Sequence, residues 1–164
     1  MPHGLSVGGM PRERLVATLR REGIRTNRHA DRLLESDRFI PPIASRPLRV
    51  TCRRVDELGL ATGATFEAIC AKALRSGLAL PPLELGPYLR LAWRNQPEGA
   101  WGHPRTRHRA PPGAVTIASA PLEIDDTFPR GFYLRRIRGA LWLRGYVAPD
   151  DHPFDASDRL AFLE

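Results

Sequence analysis

Apolar residues recur along this chain with two periods, and the change between them marks out the elements. After Pro11, Leu15, Val16 and Leu19 fall on one face of a helix that Gly23 ends. A second helix is expected from about Asn27 to Glu35, with Ala30, Leu33 and Leu34 inward, before FIPPI breaks the pattern. From Pro47 the period drops to two: Leu48, Val50 and Cys52 alternate with Arg49, Thr51 and Arg53, as in a strand with one wet face. Helical spacing returns with Phe66, Ile69, Cys70, Ala73 and Leu74, between a cap at Thr65 and Gly77. The stretch LELGPYLRLAW reads as helical in its second half, with a kink or restart at Gly86-Pro87.

Beyond a turn-rich loop at about 97–113, AVTIASA reads as a strand, residues 131–146 as a β-hairpin and DRLAFLE as a last strand. Helices first and strands later predict an α+β fold, with N-terminal and central helices packed on a mainly antiparallel sheet that ends in a C-terminal β-hairpin. Met10 precedes the first helix, so residues 1–10 are expected to form a flexible leader and 11–164 a single domain.

The hairpin GFYLRRIRGALWLRGY carries the sharpest functional lead. With a two-residue loop at Arg138-Gly139, Phe132, Leu134, Leu141 and Leu143 share the core face. Tyr133, Arg135, Trp142, Arg144 and Tyr146 then share the other, as in a stacking platform for unpaired bases. Such a loop requires positive φ at Arg138, which a side chain opposes. A three-residue loop with Gly139 left-handed shifts the register by one, and the platform is lost. Arginine over an aromatic ring is also a common internal cation–π contact with no partner implied.

Charge favours acidic partners: the formal net charge is +7 and the sequence pI about 10.6. Between Gly86 and Tyr146 ten arginines face four acids, whereas the tail from Val147 has five acids and one arginine. Lys72 is the sole lysine, a bias that base composition of the coding DNA also produces, though arginine is the better bidentate phosphate ligand. The two cysteines, Cys52 and Cys70, lack metal-ligand spacing and are expected to be reduced and buried. No signal peptide or membrane-length apolar run is present, and the expected location is cytoplasmic.

These observations make a basic binding protein the leading expectation, and nucleic acid or an acidic protein the expected partner. The nucleic-acid contacts would be Tyr133, Arg135, Trp142, Arg144 and Tyr146, aided by Arg105, Arg107 and Arg109 of the loop. A protein-interaction or immunity-type module using the same face is the alternative. A third reading, a small metal-dependent hydrolase or nuclease, needs Asp125-Asp126 and Asp150-Asp151-His152 with Asp155 brought together. Adjacent carboxylates in proline-rich connections are more often turn residues. No nucleotide-loop, catalytic-triad or zinc motif appears, so no catalytic residue, metal or cofactor is assigned. Helix-turn-helix geometry over Thr65–Trp93 would be disturbed by Gly86-Pro87 where bases are read.

The blocks GPYLRL, QPEGAW, WLRGY and DRLAF, in this order, resemble a family of small uncharacterised bacterial proteins. The resemblance implies no activity and no site residue, and this chain departs from it in the long HPRTRHRAPPG insertion after Trp101.

Overall fold

A computed structural model describes residues 1–99 and 110–164. In chain order the elements are β1 (Gly4–Val7), α1 (Arg12–Arg21), β2 (Arg25–Thr26), α2 (Arg28–Glu35), β3 (Arg46–Arg54), β4 (Ala64–Thr65) and α3 (Phe66–Arg75). There follow α4 (Leu85–Ala92), β5 (Val115–Ile117), β6 (Gly131–Ile137), β7 (Ala140–Tyr146), β8 (Pro153–Phe154) and β9 (Arg159–Leu163). The fold is α+β. Its main sheet runs β1-β3-β9-β5-β6-β7-β2, and β4 pairs with β8 in a small second sheet. Pairing is mainly antiparallel, but β5–β9 and β2–β7 are parallel.

The leader expected over residues 1–10 is corrected. Residues 4–7 form β1, which pairs with β3, and Val7 is fully buried in the main core. Four residues with one inward valine are too short for periodicity to reveal; the gain comes from closing the free edge of β3. Of the kink or restart expected at Gly86-Pro87, the structure has the start of a helix, one residue earlier. Helix α4 begins at Leu85, so Pro87 sits in the first turn, where its missing N–H costs no hydrogen bond.

Alternate residues of β9 belong to different cores, which places a core on each face of the sheet. Ala161 joins Phe132, Leu134, Leu143 and Val50 against α1, α2 and α4, and Leu160 and Phe162 pack with Ile69 and Ala73 of α3 and Phe154 of β8. The first core therefore fixes which side of β6 and β7 is buried.

Two features tie the hairpin to the helices. Asn27 caps α2 by accepting from the Ala30 amide, and its side chain also exchanges two hydrogen bonds with the Gly145 backbone, at 2.8 and 3.0 Å. Gly145 is required there, because a Cβ would stand 2.5 Å from the carbonyl carbon of His29. Arg90 of α4 and Gln96 beyond it are both fully buried. Arg90 donates to the Gln96 side-chain oxygen and to the Trp93 carbonyl. Gln96 in turn donates to the Gly113 carbonyl at 3.0 Å and the Leu134 carbonyl at 3.2 Å. Burial, with Arg94 and Arg136 nearby, brings the Arg90 guanidinium down to about 10.

Candidate nucleic-acid interface

The hairpin has the two-residue loop. Strands β6 and β7 pair Gly131 with Tyr146, Tyr133 with Arg144 and Arg135 with Trp142. Arg138 and Gly139 both adopt positive φ, at 49° and 74°, the signature of the primed turn that matches strand twist. Contacts from outside the hairpin favour this loop over the three-residue one: Glu98 accepts from the Gly139 amide and lies 3.8 Å from Arg136.

In this register Phe132, Leu134 and Leu143 are fully buried in the first core, and Tyr133, Arg135, Trp142 and Arg144 stand on the opposite face, each half-buried. The parallel pairing of β2 with β7 sets Arg25 beside Trp142, so Arg25 joins them. The Arg25 and Arg144 guanidinium carbons lie 5.8 and 5.2 Å from the Trp142 ring centroid, and Arg144 is also 6.0 Å from the Tyr133 ring. Trp142 is thus bracketed by two cations.

Electrostatically the cluster is one-sided. Arg12, Arg46, Arg49, Arg54, Arg94 and Arg130 each pair with a carboxylate, whereas Arg25, Arg135 and Arg144 have no carboxylate partner among the described residues. The Nε atoms of Arg135 and Arg144 are buried with no acceptor among the described residues. Burial, with Arg144 close by, lowers the pKa of Arg135 from its ordinary value. Nearby, His29 is lowered by burial and by Arg28, Arg32 and Arg144, so its proton too is disfavoured by existing positive charge. Guanidiniums without a carboxylate partner favour an anionic one.

Tyr146, the fifth expected contact, is placed differently. It packs against the second core with its ring 6.4 Å from Tyr133, edge to face, and burial pushes its phenol above the ordinary range. Tyr133 is raised by the same cause, against the opposing pull of Arg144 and Arg135. Tyr133 and Tyr146 line a cleft of about 240 Å³ together with Thr116, Pro149, His152 and Phe154. The cleft lies where the arginine face meets the second core.

Arg105, Arg107 and Arg109 lie outside the described residues, as do His103 and His108. The acidic clusters are not gathered into one centre: no group of three or more metal-ligating side chains exists among the described residues. Asp125 closes a turn by accepting from the Thr127 amide and hydroxyl at 2.8 and 2.9 Å, and Asp150 pairs with Arg130. Cys52 and Cys70 are free thiols, both raised by burial, Cys70 to about 11. No described helix is long and apolar enough to cross a membrane.

Sequence reasoning missed Arg25. Its element is two residues long and its strand partner is distant in sequence, so only the parallel pairing with β7 reveals it. No family model matches the chain, and neither does any curated protein or solved structure.

Proposed function

We propose that this protein binds nucleic acid, with a preference for single strands, through the face of β6, β7 and β2. One observation carries the reading: Arg25, Arg135 and Arg144, none with a carboxylate partner among the described residues, gather on the face that also holds Trp142 and Tyr133. Phosphate supplies the acceptors, and arginine engages it in bidentate geometry. Trp142 and Tyr133 give unpaired bases sequence-tolerant stacking surfaces, and the stacked guanidiniums themselves extend those surfaces. Duplex DNA hides its base faces, so this combination favours unpaired strands. The net charge of +7 adds long-range attraction.

The test is a salt series with the nuclease-treated protein and short labelled single and double strands of DNA and RNA. Affinity should fall steeply with salt and be higher for single strands. Replacing Arg135 and Arg144 with alanine should flatten the log–log salt slope by about 1.4, at about 0.7 per phosphate contact on a single strand. Trp142→Ala should weaken binding without changing that slope. Binding that is absent at low salt, or unchanged in all three substitutions, sinks the assignment.

A further inference from the structure

We infer that the cleft beside the arginine face receives a single unpaired nucleobase whose adjoining phosphate rests on Arg144. The inference rests on the proposed nucleic-acid reading and deepens it by naming where a base goes. Two ring pairs from different elements line the cleft: Tyr133 with Tyr146 from the hairpin, and His152 with Phe154, whose rings stand 5.3 Å apart, at β8. Rings from two directions suit a flat heteroaromatic group better than an aliphatic one.

Size narrows the occupant further. At about 240 Å³ the cleft is smaller than the roughly 300–1,000 Å³ of sites that enclose a whole small-molecule ligand, so it takes one ring system and leaves the sugar and phosphate outside. The surrounding charge decides which ring system. Tyr133 lines the cleft and lies beneath Arg144, so an anionic substituent on a seated ring is within the field of a guanidinium that has no carboxylate partner among the described residues. Asp150, which follows the lining residue Pro149, is engaged by Arg130, which also donates to the Ala148 carbonyl at 3.3 Å. Thr116, almost fully buried and opposite Tyr133 in the β5–β6 pairing, completes the wall. A base carrying a phosphate meets all of these conditions at once.

Two sources offer that chemistry, a strand of nucleic acid and a free nucleotide, and the experiment separates them. The full chain is titrated with a mixed-sequence oligonucleotide, with an abasic chain of equal length, and with nucleoside monophosphates. Each is repeated with Val147→Trp, which fills the cleft from a position already 40% exposed. In the intact chain the Thr116 and Val147 methyl resonances are followed, with Leu19 of the first core as control.

A strand source predicts that the oligonucleotide binds about tenfold more tightly than the abasic chain, that V147W erases the difference, and that the Thr116 and Val147 methyls shift while Leu19 does not. A free-nucleotide source predicts the same methyl shifts with monophosphates, weakened by V147W, and no advantage of bases over the abasic chain. Both outcomes support the cleft assignment. Methyls that stay in place with every probe overturn it, even where oligonucleotide and abasic chain bind equally well and the proposed function stands. If no polyanion binds at all, the proposed function falls as well. Should V147W fail to fold, the methyl shifts of the unaltered chain decide.

Discussion

Gln96→Leu is the substitution that most directly tests how the hairpin is held. The side chain is fully buried, accepts from Arg90, and donates to the carbonyls of Gly113 and Leu134. Leucine fills similar space but deprives the buried Arg90 guanidinium of an acceptor and removes the donor to the carbonyls of Gly113 and Leu134. A buried donor left without its acceptor costs about 1–3 kcal/mol, and the charge on this one puts the loss at about 3 kcal/mol. The cationic partner raises the cost, because a charged donor deprived of its acceptor in the interior is the worst of these cases. For a chain of this size the corresponding fall in Tm is about 6–12 °C. Urea melts followed by far-ultraviolet circular dichroism and by tryptophan fluorescence give the free energy, and a thermal scan gives Tm. A loss below about 1 kcal/mol, with coincident transitions, would refute the claim that Gln96 joins α4, Gly113 and β6 through buried hydrogen bonds.

Two further outcomes follow from the same structure. All three tyrosines, Tyr88, Tyr133 and Tyr146, are raised from the ordinary value by burial, so near pH 10 the folded chain should show less phenolate absorbance than the unfolded chain, which shows about half. Because the folded values exceed the unfolded ones, the stability linked to these phenols is complete well below pH 10 and drains as pH rises through the folded values; a normal titration curve in the folded state would contradict this. Gly145→Ala should cost about 3 kcal/mol in a urea melt, the upper end for overpacking, since its Cβ would meet the backbone of His29 and Ala30 at 2.5 to 2.7 Å. Gly139→Ala, at φ 74° with nothing within 4 Å, should cost only the left-handed penalty of about 1 kcal/mol, and equal losses at the two sites would remove the distinction between clash and strain.

The legible parts of this fold are those written as local periods. Helices α1, α2 and α3 begin and end within a residue or two of where caps and glycines place them, and the long strand β3 shows its alternation openly. What stayed hidden is short or non-local: β1, β2, β4 and β8 span two to four residues, too few to display a period. Their existence depends on partners far away in sequence, and the parallel pairing of β2 with β7 cannot be read from either segment alone. The candidate site divides in the same way. Trp142, Tyr133, Arg135 and Arg144 were visible as an interleaved run, whereas Arg25 and the cleft walls at His152 and Phe154 come from elsewhere in the chain.

The register of the hairpin was the point on which sequence reasoning divided, and the structure shows why local rules could not decide it. Turn preferences alone favour a loop that spares Arg138 a positive φ, at a cost of about 1–2 kcal/mol for a residue other than glycine. Opposing this is the burial of Phe132, Leu134 and Leu143 together in the first core; a shift of one residue in β7 would exchange Leu143 for Trp142 there. A fully buried leucine is worth about 1.5–3 kcal/mol, and the hydrogen bond of Glu98 to the Gly139 amide adds to it. The NQPEG stretch therefore acts on the hairpin at two points, through Gln96 at Leu134 in the middle of β6 and through Glu98 at Gly139 in the turn. By holding the pairing that turns Leu143 inward, it also turns Trp142 and Arg144 outward, so the burial of Leu143 in the core and the composition of the arginine face are set by one and the same register.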